Sequence, residues 1–228
     1  PMIAGVDGCR EGWVGVWLDQ SGAVAGTTSS ASLKKVLQSI PELEVAGIDM
    51  PIHLLDAPTR LADTHARRAL GPERGRSIFP ALPRFTIEER WLKAEFNDVN
   101  TTCRQLYGRA FSRQSLHLRS KIAEVNRMER EGFPVIEVHP ELSFTAMNAG
   151  QPLTFSKKTW GGFRERISLL EENGLHLTDH LLLPVRHLAP DDIVDAAAAA
   201  WSAYRHSFGG AISYPPSDQN LREPRIWA

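Results

Sequence analysis

Only two cysteines, Cys9 and Cys103, occur in the 228 residues, far apart and in no zinc-type spacing. That argues against a disulfide or zinc scaffold and fits a reducing compartment. Long apolar runs are missing as well: no stretch approaches the ~20 residues of a membrane-spanning helix. The opening "PMIAGVDG" has no basic segment leading into an apolar one, so no secretory signal is read there and a cytoplasmic location is expected. Nor is there an excess of charge. Lys and Arg number 26 against 27 Asp and Glu, a formal net charge of −1. This excludes a globally basic nucleic-acid coat and leaves room for a local basic groove. Repeats, low-complexity tracts and linkers are absent, and the length suits one domain over residues 1–228 that carries an inserted lobe.

What is present is a mixture of strand and helix periods. "MIAGVDGC", "GWVGVWLDQ" and "AVAGTTS" are three short β-rich runs separated by tight turns, which predicts an antiparallel meander. "SASLKKVLQSI" spaces Leu33, Val36, Leu37 and Ile40 as a helix starting from a Ser cap. "EVAGIDMPI" and "FPVIEVHPE" are apolar runs, each closed by a proline, and predict buried parallel strands. Amphipathic segments fill residues 59–131, too long for a simple crossover, and predict a helical insertion. Further helices are expected at 160–173 and at 191–208, the second stopped by Gly209-Gly210. The sum is a mixed α/β sheet.

Acidic residues fall at the ends of these strands. Asp7 comes late in the first, Asp49 just before Pro51 in the fourth, and Glu137 just before Pro140 in the fifth. Parallel strands would gather them at the carboxyl edge of the sheet, where open α/β sheets bind ligands. Strand alternation puts Glu137 and His139 on one face. "PDDIVDAAAAAW" then packs Asp191, Asp192 and Asp195 into one turn and follows them with five alanines. Asp191 or Asp192 can be read as an N-cap beside Pro190. Asp195 lies a turn further in, on the face of Asp192, and capping does not cover it. Two like charges ~4 Å apart near a protein surface repel by about 4 kcal/mol. A converging set therefore calls for protons or cations, and oxygen donors favour Mg²⁺ or Mn²⁺. The alanines would let the helix approach the sheet closely enough for Asp192 and Asp195 to share ions with Asp7.

In order along the chain, "GVDGCREGW", "GIDMPI", "RLADTHARRALG" with "SIFPALPR", "VIEVHPELSF" and "PDDIVDAAAAAW" resemble the predicted ribonuclease H-like nuclease family of bacteria and archaea, from Gly5 to about Gly210. The resemblance implies a ribonuclease H-like sheet of order 3-2-1-4-5 with helices on both faces. Within that superfamily it implies kinship with Holliday-junction resolvases, which place acids on the first and fourth strands and a D-x-x-D-A pair on the last helix. Asp7, Asp49, Asp192 and Asp195 occupy the matching positions as metal ligands. Resolvases generally carry Glu where this chain has Asp49, one methylene shorter. The expected activity is phosphodiester hydrolysis by two divalent ions, with Asp7 bridging both. Glu137 and His139 join the catalytic set, His139 to orient water or protonate the leaving group, unless it is a structural histidine.

The insertion supplies the expected nucleic-acid surface. Eleven arginines lie between residues 60 and 119, among them Arg67, Arg68, Arg76 and Arg84, and arginine forks suit phosphate oxygens. Lys157 and Lys158 in "TFSKKTWGG" are further phosphate candidates, and Phe85, Trp91 and Phe111 are either base-stacking or core aromatics. Expected partners are thus DNA or RNA and no membrane, with a homodimer left open. Two other classes compete: an actin-like phosphotransferase using the Asp7-Gly8 turn, and a non-catalytic nucleic-acid module that keeps the fold. A thiol nucleophile at Cys9 is a remote further reading, since no histidine can be placed beside it.

Overall fold

The computed structural model describes residues 1–217 and 223–228. Strands β1 (Met2–Cys9), β2 (Gly12–Leu18) and β3 (Val24–Ser30) form the expected antiparallel meander. The β2–β3 turn is held locally: the Asp19 carboxylate accepts from the amides of Ser21 (2.8 Å) and Ala23 (3.2 Å). Helix α1 (Leu33–Ser39) leads to β4 (Leu43–Ile48), which runs parallel to β1, and β5 (Val135–Glu137) runs parallel to β4. The sheet order is β3-β2-β1-β4-β5, the order that the family resemblance implies.

Between β4 and β5 lie α2 (Leu61–Arg74), α3 (Glu89–Leu92), α4 (Phe96–Tyr107), α5 (Arg113–His117) and α6 (Arg119–Arg130). This segment is no detached lobe. Val99, Cys103, Ile122, Val125 and Met128 join Val6 and Ile48 in one buried cluster, so with α1 it covers a face of the sheet. Phe85, Trp91 and Phe111 pack against or within that cluster, the core reading of the three aromatics.

The other face is covered by α7 (Pro140–Met147), α8 (Trp160–Glu172), α9 (Asp179–Leu182) and α10 (Pro190–Ser207). Phe144, Leu169, Leu170, Ile193 and Val194 pack there on Val14, Val16 and Leu18. A small sheet, β6 (Ser213–Tyr214) with β7 (Ile226–Trp227), bridges to Val138 beyond β5. Strands this short carry no readable period and leave no sign in the sequence.

The alanine run answers to one contact. Ala196 to Ala200 are all fully buried. A Cβ built on Gly5 would stand 2.0 Å from the Ala200 amide nitrogen and 2.1 Å from the Ala196 carbonyl oxygen; one on Gly47 would stand 2.8 Å from the Ala199 carbonyl. The backbones of β1 and β4 therefore lie directly on the backbone of α10, with no side chain between them.

Two helix starts differ from the expected caps. Ser32 opens α1 but makes no side-chain cap; Glu124 of α6 does so instead, accepting from the Leu33 amide (2.7 Å) and the Trp13 indole (2.9 Å). Helix α10 begins after Ala189 with Pro190 in its first turn, and neither Asp191 nor Asp192 caps it. Proline has no N–H to satisfy and is preformed for that position, so both acids are left inside the first turn.

Candidate metal and catalytic site

Register and close packing bring the acids together. Val6 lies opposite Ile48, and the Asp49 amide donates to the Val6 carbonyl (3.1 Å), so Asp7 and Asp49 leave neighbouring strands at the carboxyl edge. Because α10 touches β1 through bare backbone, Asp192 and Asp195 reach the same edge. Asp7 and Asp195 are buried, at 7 % and 2 % exposure. The Oδ1 of Asp195 is buried without a partner among the described residues.

Their protonation reflects this crowding. Burial raises the Asp7 carboxyl well above the usual range, with Asp49, Asp195 and Asp192 adding repulsion and Lys157 opposing it. Asp49 is raised to about 7 by burial, against the pull of Lys157 and with Glu141 adding to it. Asp195 is raised to about 6 by burial, again opposed by Lys157 and reinforced by Asp49 and Glu141. Burial also raises Asp192, helped by its neighbour Asp191.

The counter-charge inside the cluster is Lys157, from the segment between α7 and α8. Its Nζ donates to the Asp195 Oδ2 at 2.6 Å. Burial disfavours the ammonium, yet Asp195, Asp7 and Asp49 outweigh it and hold its pKa above the ordinary lysine value. Lys158 pairs with Asp191 in the same way, at the exposed end of α10. Both lysines expected on phosphate thus sit on the acids of α10.

Glu137 goes elsewhere. Its carboxylate takes a fork from Arg60, at 2.8 and 2.7 Å, and the Ile52 amide at 2.7 Å. Arg60 also binds Asp63, whose other oxygen accepts from the Ala81 amide (2.9 Å). The physical reason is alternation: Glu137 is level with Ile48, one residue out of phase with Asp49. Strand β5 ends at Glu137, so its period does not carry on to His139. His139 instead lies near Asp195, Glu141 and Lys157; burial lowers its pKa against the pull of Glu141 and Asp195, and the ring is hydrogen-bonded to the Ser77 backbone. Its Nδ1 has no partner among the described residues. Glu141 is paired with Arg166 on α8.

Asp49, His139, Glu141, Lys157 and Asp195 line a cavity of about 470 Å³. Ile78, Phe79, Leu82, Leu118 and Ile122 form its apolar walls, and Arg60, Asp63 and Glu137 also border it. Sequence reasoning missed the Arg60–Glu137–Asp63 network and the place of Lys157. Arg60 and Asp63 lie in a quoted motif, but nothing local joins them to an acid 74 residues on.

Of the arginines expected on nucleic acid, Arg67, Arg68 and Arg76 line one shallow depression with Gly71, Pro72 and Gly75. Arg67 donates to the Ile78 carbonyl (3.0 Å) and keeps a buried Nη2 without a partner among the described residues. Arg84 is apart from them, on the Leu54 carbonyl (3.0 Å) and near Asp56 (3.5 Å). The expected Asp7-Gly8 turn does not form: both residues lie within β1, opposite Val14 and Trp13, and the Gly8 amide donates to the Asp7 Oδ1 (2.7 Å). Cys9 is buried and burial raises its thiol pKa, which disfavours a nucleophilic thiolate.

Among the described residues, no three His, Cys, Asp or Glu side chains are gathered as a ready-made metal-binding group. The donor chemistry nevertheless fits one hard cation: Asp7, Asp49 and the Asp195 Oδ1, which has no partner among the described residues, all offer carboxylate oxygens. Mg²⁺ is commonly held by one or two carboxylates with water and substrate phosphate, without a closed protein cage. No helix among the described residues is long and apolar enough to cross a membrane.

A family model described as "Protein of unknown function (DUF429)" matches residues 5–220. No curated protein and no solved structure matches the chain.

Proposed function

We propose that this chain, which belongs to the family of unknown function DUF429, is a ribonuclease H-like, divalent-metal-dependent nuclease hydrolysing phosphodiester bonds of nucleic acid. The observation that carries the reading is the convergence of Asp7, Asp49 and Asp195 from β1, β4 and α10: burial raises all three, Asp49 and Asp195 add repulsion on Asp7, and Asp49 adds repulsion on Asp195. Repulsion of this kind takes a large share of a domain's ~5–15 kcal/mol stability, and a binding role gives it a reason to persist. Mg²⁺ or Mn²⁺, when bound, supplies Lewis-acid polarisation of a phosphoryl oxygen and a more acidic water.

The chain's own residues do the rest. Asp7, Asp49 and Asp195 would hold the cation through carboxylate oxygens, and Asp192 adds negative charge at the same edge. His139, whose pKa burial lowers, borders the cavity and would take or return a proton there. The apolar cavity walls exclude bulk water from the reacting group. Arg67, Arg68 and Arg76 position the phosphate backbone outside the cavity.

The test is to offer the purified protein DNA, RNA, hybrid and junction substrates with Mg²⁺, Mn²⁺ or chelator, beside Asp7→Asn. Cleavage that needs metal and disappears in Asp7→Asn is expected. ATP turnover without cleavage, or salt-sensitive binding without any turnover, overturns the proposal.

A further inference from the structure

We infer that Lys157 is a resident cation of the acid cluster, filling the place of a second metal ion, so that the site takes one divalent ion and not two. The inference rests on the metal-binding reading above and fixes its stoichiometry.

The geometry is asymmetric. Of the two oxygens of Asp195, Oδ2 accepts from the Lys157 Nζ at 2.6 Å, while Oδ1 is buried and unpartnered among the described residues. Asp195 is 2 % exposed, so water cannot freely serve that free oxygen. One side of the carboxylate is thus already neutralised by a cation that the chain itself supplies, and the other side is not. Asp7 and Asp49 act on the ammonium as well, at lesser strength than Asp195. A divalent ion would be held by Asp7, Asp49 and the Asp195 Oδ1. A second one on Oδ2 would have to displace the ammonium and stand against its charge.

Lys157 is the cation that hydrogen-bonds Asp195, whereas Lys121 acts on Asp7 and Asp192 through its charge alone. Lys158 is engaged with Asp191, Arg166 with Glu141, and Arg60 with Glu137 and Asp63. Lys121 donates to the Cys9 carbonyl (3.1 Å) and the Gly12 carbonyl. Lys157 also borders the cavity together with Asp49 and His139, which puts the ammonium where the negative charge of a phosphodiester would arrive. A lysine fixed there neutralises charge as a point cation without needing a coordination shell.

The deciding measurement is ion stoichiometry, read by isothermal titration of the full chain with Mn²⁺ and by electron paramagnetic resonance of the bound ions. Wild-type protein is expected to bind one ion at this site, lost in Asp7→Asn. Lys157→Met is expected to bind at least tenfold more tightly or to take up a second ion. Two ions in the wild type, with spin coupling between them, overturn the inference and leave the nuclease reading standing. So does a Lys157→Met protein, folded by circular dichroism, whose affinity and ion count match the wild type. The wild-type count decides the matter if Lys157→Met fails to fold. No ion in either protein overturns the metal-binding reading itself, and the inference with it.

Discussion

Replacing Gly5 with alanine tests the contact on which the site is built. The added Cβ would stand 2.0 Å from one backbone atom of α10 and 2.1 Å from another. Ordinary van der Waals contact needs ~3.5 Å, so strand and helix must part by roughly 1.5 Å. Overfilling a packed core costs about 1–3 kcal/mol and occasionally more; here both neighbours are backbone and cannot rotate away, which points to about 3 kcal/mol or above. For a chain of this size each kcal/mol shifts Tm by about 2–4 °C, giving a fall of about 6–12 °C. The assay is thermal and urea unfolding beside Gly210→Ala, where the nearest atom is 3.7 Å away and little change is expected. Parting the elements also carries Asp192 and Asp195 away from Asp7, so Mn²⁺ affinity should fall even at temperatures where the variant stays folded. A Gly5→Ala protein melting within about 2 °C of wild type would refute the close-packing argument.

Three further outcomes are expected. In chelator, stability should fall as pH rises through roughly 4 to 7, because the folded state holds protons on Asp7, Asp49 (about 7) and Asp195 (about 6) that the unfolded chain has released. Urea melts at pH 5 and 7.5 check this, and Mg²⁺ or Asp49→Asn should flatten the slope. Arg60→Met should cost about 3–5 kcal/mol in urea unfolding, since it leaves Glu137 buried without its charged partner, and Arg60→Met with Glu137→Gln should recover part of that loss. Reversing Arg68 and Arg76 to Glu should weaken nucleic-acid binding and lower its salt dependence, measured by fluorescence anisotropy at several ionic strengths, without moving Tm by more than about 2 °C.

Much of the architecture was legible because the periods were clean. The three meander strands, the two proline-closed strands and the alanine helix each carried a local signal, and parallel pairing followed from the helical crossovers. Placing Asp7 and Asp49 at one edge needed only that topology. Glu137 was harder. Its position at a strand end was readable, but its side chain answers to Arg60, and the phase between β4 and β5 that sends it there is set by pairing between strands. Lys157 is expected on phosphate from its place beside Lys158; a sequence holds no trace of which carboxylate, 38 residues away, lies 2.6 Å from its nitrogen. The caps of α1 and α10 were misread for a related reason: Glu124 reaches Leu33 across the fold, and Pro190 makes an Asp cap unnecessary. Local pattern sets the elements, while the partners of buried charges come from tertiary packing.

The most direct measurement of the central claim is the anomalous difference map of a crystal soaked in Mn²⁺. A peak between the carboxylates of Asp7, Asp49 and Asp195, with Lys157 still on the second oxygen of Asp195, is the result expected. A map with no peak at that edge of the sheet, at Mn²⁺ concentrations that saturate the protein in solution, would contradict the account.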